Sequence, residues 1–236
     1  MEEEEAGMEP GPVEASKERS WREVARIDAA LAAGEIDEQG WHQAMAAMVR
    51  PRYLAAATPW EQSGYSRPEG EAAWVAARRF VVDALDRDGT FLDCGCANGY
   101  LMECVRRWAA AKGLDVEPYG VDVVPELVDL ARRRLPAWAD RIWAGNIATW
   151  TPPRRFEVVR TGLDYVPDRR RRELVERLLT EFLVPGGRLV VGPFTEEVER
   201  PATQAALAAW GRPVAGRSEA PHPDPRVVRR VLWLDV

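Results

Sequence analysis

The sequence predicts an α/β fold: a doubly wound, mostly parallel sheet of seven strands, with an antiparallel last strand and a helical lid at the N-terminus. Three observations carry this expectation. From Thr90 onward, short apolar runs at 90–94, 117–122, 141–144, 156–160 and 187–193 alternate with stretches of helical period, the signature of a parallel sheet built from crossover helices. The first run stops at Asp93 and passes into a glycine-spaced turn, Cys94-Gly95-Cys96-Ala97-Asn98-Gly99, as a ligand-binding strand and loop would. The segments Pro213–Gly216 and Val227–Asp235 read as strands joined by a proline-rich loop with no helix between them, which predicts a terminal antiparallel hairpin.

The elements follow in order. Residues 1–17 are acidic, Gly/Pro-punctuated and without apolar period, and are expected to be a disordered tail. Residues 18–70 read as a helical lid and loop. Ser20 can cap a helix carrying Val24, Ile27 and Leu31 on one face and ended by Gly34. A second helix is expected over Asp37–Met48, with Pro51 marking its end, and Ala56–Gly70 is rich in turns yet holds Trp60 and Tyr65. The core, 71–236, opens with helical period over Glu71–Leu85. Tyr100–Lys112 then predicts a helix whose N-terminal amides face the Asp93–Gly99 loop.

Composition narrows the function. A length of 236 residues suits one sizeable domain, and a net charge of −6 with pI near 5.2 argues against a broad nucleic-acid-gripping face. Three clustered cysteines at 94, 96 and 104 do not make a disulfide framework, and no apolar run approaches the ~20 residues of a membrane span. A cytoplasmic protein is expected. Cys94 and Cys96, one residue apart with no neighbouring histidine, do not supply the roughly four ligands of a zinc site, so no metal is expected.

The loop admits several ligands until its spacing is tested. A dinucleotide fingerprint would place its third glycine at Tyr100, where a phenol would hold helix and strand apart, and a P-loop would need a Lys-Ser/Thr that is missing. Leu92-Asp93-Cys94-Gly95-Cys96-Ala97-Asn98-Gly99 resembles the first motif of the class I S-adenosylmethionine (SAM)-dependent methyltransferases, whose fold is Rossmann-like, with Ala97 in place of the middle glycine. Tyr119-Gly120-Val121-Asp122 supplies the acid closing the second strand, 122 − 99 = 23 residues after the last glycine. The helix from Pro125 and the segments Gly145-Asn146-Ile147, Phe156–Pro167 and Leu183–Val191 resemble the later motifs in the same order. The resemblance covers roughly residues 70–235.

That resemblance implies SAM as cofactor, S-adenosylhomocysteine (SAH) as product, and a cofactor site made of Asp93, Gly95, Cys96, Ala97, Gly99, Asp122, Val123, Asn146, Ile147 and Thr161. Asp122 would accept from the ribose hydroxyls, and Asn146 would meet the adenine edge through its amide oxygen. Alignment of a nucleophile with the sulfonium methyl does most of the catalytic work, and a hydroxyl or amine acceptor also calls for a proton acceptor nearby. Candidates are Tyr65, Asp164, Tyr165 and His222. His42 reads as a surface or packing residue, and the run Arg169–Arg172 as a solvated helix face.

The Asn/Asp-Pro-Pro-Tyr/Phe signature of amino-methylating nucleic-acid and glutamine enzymes is absent, and Arg160-Thr161 offers no acidic cluster for a catechol-type metal. A small-molecule O- or N-methyltransferase of specialised, natural-product metabolism is the resulting expectation, monomeric or homodimeric, with nucleic acid and membrane disfavoured. An RNA or protein methyltransferase and a non-catalytic SAM-binding scaffold or regulator stay open.

Overall fold

The computed structural model describes residues 12–64 and 69–236. Its centre is a seven-stranded sheet in the order β3-β2-β1-β4-β5-β7-β6, with β1 Gly89–Cys94, β2 Val116–Asp122, β3 Ile142–Ala144, β4 Phe156–Thr161, β5 Leu183–Glu197, β6 Gly216–Pro221 and β7 Val227–Asp235. Strands β1 to β5 pair in parallel, and β7 runs antiparallel to both β5 and β6. The doubly wound sheet and its hairpin match the sequence expectation. Strand β6 differs in position, since residues 213–215 lie before it and it runs on to Pro221.

Both faces are covered. On one, Trp74 and Tyr100 join Phe80, Val81, Phe91 and Trp108 in a single buried cluster; on the other, Leu92, Val121 and Val159 meet Leu174, Leu178, Phe182 and Leu207. The covering helices are α3 Gly70–Ala76, α4 Tyr100–Ala110, α6 Arg171–Arg177 with its continuation Leu178–Phe182, and α7 Ala202–Ala209, while α5 Pro125–Arg134 follows β2. Sheet order reverses between β1 and β4, so their C-terminal ends frame the crevice where open α/β sheets take ligands. A single residue pair marks that point: Asp93 of β1 and Arg160 of β4 are register partners.

The N-terminal lid departs from expectation in its boundaries. Helix α1 runs Pro12–Ala33, starting ahead of the Ser20 cap, so residues 12–17 are helical; residues 1–11 lie outside the described ones. Helix α2 runs Glu38–Ala55 and carries Pro51 inside it. Proline was expected to stop the helix, because it removes one amide donor and crowds the preceding turn. Packing outweighs that penalty: Ala46, Val49 and Tyr53 on α2 seat against Ala97, Val124 and Leu127 of the core, and Tyr53 must stay helical to reach them. Conversely, the helical period of 71–85 breaks after α3 into a 3-10 segment, Arg79–Ala84, that buries Phe80, Val81, Val82 and Ala84.

Charge fastens the same lid. Asp37 caps α2 by accepting from the Gly40 amide at 2.8 Å, and Glu38 accepts from Arg169 at 3.0 Å and Arg170 at 2.8 Å. The arginine run is largely exposed, as expected of a solvated face, and two of its members also pair with Glu38 of α2. Arg50 pairs Glu126 of α5 at 2.6 Å.

Trp74 is wholly buried, lies 4.5 Å from the Tyr100 ring and donates to Ser63 Oγ at 2.8 Å. Trp74→Ala is expected to cost about 3–5 kcal/mol in a urea unfolding titration, through lost burial and the void left behind. A loss under about 1 kcal/mol would show that this cluster does not hold the face together.

Candidate functional site

A cavity of about 790 Å³ opens at the C-terminal ends of β1, β2 and β4, roofed by α1 and α2. Its floor is the loop expected to bind a ligand. Gly95 and Gly99 both have φ of +75°, a left-handed conformation that costs glycine nothing, and Ala97 takes φ +48°. The turn closes on the neighbouring strand, because the amides of Gly95 and Cys96 both donate to Val121 O.

Asp122 is buried at the end of β2 and is held from both sides. Its Oδ2 accepts from the Ala97 amide at 2.8 Å and its Oδ1 from the Val124 amide at 2.9 Å, so the acid locks the glycine loop to the β2–α5 turn. Burial raises its pKa, and the backbone donors pull it back down.

Asp93 is balanced differently. Its Oδ1 accepts from Arg160 Nη1 at 3.1 Å, both side chains being buried, while its Oδ2 has no partner. A buried carboxylate oxygen without a donor is costly, and burial accordingly pushes Asp93 up to about 6 against the pull of Arg160, with the charge of Asp122 adding to the rise. A cationic donor entering the cavity would satisfy that oxygen. The fourth-strand arginine also donates to Cys94 O at 3.3 Å, to Gly192 O and to the Tyr165 hydroxyl at 3.1 Å.

Tyr165 packs its ring directly on the loop: a Cβ at Gly95 would stand 2.6 Å from Tyr165 Cζ. Burial drives its phenol well above the ordinary range, so at neutral pH it is a hydrogen-bond donor whose oxygen accepts from Arg160. That revises the proton-acceptor role expected of it.

The other expected residues fall into three groups. Asp93, Gly95, Cys96, Ala97, Asp122, Val123, Asn146, Ile147, Asp164 and Tyr165 all line the cavity. The Asn146 amide oxygen, expected at an adenine edge, already accepts from the Ala148 amide at 3.0 Å. Three do not line it. Gly99 supports the loop from beneath against Leu135, and Thr161 is fully buried with its hydroxyl turned to Gly162 O. His222 sits in the β6–β7 loop, where its Nδ1 accepts from the Asp224 amide at 3.1 Å. Tyr65 lies outside the described residues.

Sequence reasoning missed Arg160, Tyr53 and His42, all of which line the cavity. Arg160 carried a readable signal, since a charge interrupting the buried run Phe156-Glu157-Val158-Val159 needs a partner. His42 and Tyr53 carried none, because α2 has a weak apolar stripe and the face it turns to the core is fixed by docking. No helix is long and apolar enough to cross a membrane, and no group of three or more potential metal ligands occurs, among the described residues.

No protein-family model matches the chain. A trans-aconitate 2-methyltransferase from Methylobacterium radiotolerans is 32% identical over 134 residues, 56% of this chain and 48% of that protein. The chain thus spans about half the length of the curated relative it matches. Among solved structures, a 1,6-didemethyltoxoflavin-N1-methyltransferase from Burkholderia thailandensis, with bound 1,6-didemethyltoxoflavin and SAH, is similar with a TM-score of 0.61 at 17% identity, over 85% of this chain and 90% of that one. The [4+2]-cyclase SpnF is similar with a TM-score of 0.54 at 15% identity, over 84% and 94%. The fold is that of the class I SAM-dependent methyltransferases, and it also serves a protein named as a cyclase.

Asp93 makes a specific pH prediction. Its pKa is about 6 folded against 3.8 as its ordinary value, so its contribution to stability is complete below pH ~4 and is lost as pH rises through 6. Asp93→Asn has no proton to lose and is expected to flatten that decline, on the order of 2–3 kcal/mol, in urea midpoints taken from pH 4 to 7. An unchanged pH profile would contradict the assignment.

Proposed function

We propose that the chain transfers a methyl group from SAM to an oxygen or nitrogen atom of a small molecule. The observation that carries this reading is the pair of acids on one cavity wall. Asp122 closes β2 with lone pairs left for hydroxyl donors, and Asp93 presents an unpartnered buried oxygen suited to an ammonium group. The two demands match the ribose and the amino-acid end of one ligand. The donor set of the cavity therefore fits SAM.

When bound, SAM supplies an electrophilic methyl carbon on a sulfonium. The chain's own residues then do four things. Asp122 would hold the ribose hydroxyls while keeping the loop at Ala97 closed. Val123, Asn146 and Ile147 would flank the adenine, and the backbone of Gly95, Cys96 and Ala97, which lines the cavity floor, would lie against the ligand. Asp93 would take the α-ammonium, with Arg160 fixing its other oxygen. The lid residues Trp21, Trp41, Met45 and Val49 line the same cavity from above and would exclude water from the acceptor's side.

Support for a small acceptor comes from the same roof. A second cavity of about 490 Å³, lined by α1, α2 and the start of α6, shares Trp41, Tyr53 and Asp164 with the first. A small organic molecule fits such a volume. The trans-aconitate and didemethyltoxoflavin named for the relative and the solved structure are of that class as well.

Calorimetric titration with SAH tests the reading. Wild type is expected to bind, and Asp122→Ala to bind about 10- to 100-fold more weakly, through loss of a charged acceptor and of the loop it closes. Unchanged affinity in the variant, or no binding by wild type, would contradict it.

A further inference from the structure

We propose that His42, on lid helix α2, is the group that takes the proton from the methyl acceptor. This rests on the methyl-transfer reading. Few of the cavity-lining side chains are able to accept a proton. Asp122 accepts from the Ala97 and Val124 amides and, in the methyl-transfer reading, from the ribose hydroxyls, and Asp93 is paired with Arg160. Tyr53, Tyr165 and Cys96 are pushed up by burial and keep their protons near neutral pH. Arg78, Arg160 and Arg171 are cations. His42 and Asp164 remain, and an imidazole matches proton transfer near neutral pH better than a carboxylate does.

The position of His42 is fixed by packing. Its ring meets that of Trp41 edge-on, with centroids 5.0 Å apart and planes at 88°. Trp41 is itself buried and donates to Asp28 Oδ1 of α1 at 2.8 Å, so the ring has a rigid neighbour. The helix that carries both is pinned to the core by Glu38, Arg50 and Tyr53.

Its charge state follows from the same contacts. Burial lowers the His42 pKa, and the negative charge of Glu38, one helical turn earlier, acts in the opposite sense. Arg169 and Arg170 already hold Glu38, which limits its ability to keep an imidazolium in place. Glu38 is the charged group that acts on the ring, and the charged side chains Asp164 and Arg171, of opposite sign, line the same cavity. A half-buried neutral imidazole facing the cavity is the result.

In the transfer, the acceptor atom forms its bond to the methyl carbon as the carbon–sulfur bond breaks, and the sulfur keeps that electron pair. The acceptor's proton passes to the unprotonated ring nitrogen of His42, and the half-buried imidazolium later returns it to solvent. The acceptor class follows: a hydroxyl, phenol or N–H group, which must shed a proton, in contrast to a carboxylate, which attacks already ionised.

The chain has two histidines, so the ring region of a ¹H–¹³C spectrum holds two C2–H signals, and His222→Gln assigns them. In the SAH complex His42 is expected to titrate below its ordinary 6.5. His42→Gln is expected to bind SAH within about 2-fold of wild type, yet to release SAH from SAM about 100-fold more slowly when a small-molecule cell extract supplies acceptors, whereas His222→Gln matches wild type. Titration of His42 at or above 6.5, or SAH release by His42→Gln within 2-fold of wild type, overturns the role of His42 while methyl transfer stands. Failure of wild type to bind SAH, or to release any with extract present, overturns the methyl-transfer reading and this inference with it.

Discussion

Two opposite charges face each other across the middle of the sheet, and much of the site depends on them. Asp93 and Arg160 stand one residue before the ends of β1 and β4, register partners at the point where strand order reverses. Either charge alone in that position would cost several kcal/mol of desolvation, so the pair favours the one β1–β4 register that brings them together. A slip by one residue would leave both unpaired and turn every side chain of the strand to the wrong face. The same guanidinium reaches Cys94 O, Gly192 O and the Tyr165 hydroxyl, which ties β1, β4, β5 and the 162–166 loop into one rigid floor.

What the pair leaves undone bears on function. Arg160 satisfies one oxygen of Asp93, and the other is buried without a donor. The apo protein therefore carries an unfavourable group at its ligand crevice, of the kind that folds retain where a ligand completes them. Tyr165, drawn onto Gly95 by the same arginine, explains why that position must be glycine as well as why the turn is tight.

The architecture was legible because period and punctuation are local signals. The acid at Asp93 and the glycine loop could be placed from the local pattern and Asp122 from the family resemblance, and both acids do line the cavity. Long-range effects were not legible. Pro51 sits inside α2 because Tyr53 packs against Val124 and Leu127, residues some seventy positions away. Thr161 does not line the cavity although Arg160 and Gly162 on either side of it do, because its side chain is buried with the hydroxyl on Gly162 O, and His222 lies away from it because the hairpin loop is held on itself by Asp224. The lid contributes the least predictable part of the site. Its face toward the cavity is set by Glu38 meeting Arg169 and Arg170, a contact spanning more than a hundred residues of chain.

Fold alone does not settle chemistry here, since a methyltransferase and a cyclase share this architecture. The acids, the arginine that tunes one of them and the roofed cavity beside them favour methyl transfer to a small molecule. Partition of label from methyl-tritiated SAM, after incubation of the chain with a whole-cell extract, tests it most directly. Label entering the small-molecule fraction is the predicted result; label in RNA or protein, or in no fraction, would contradict it.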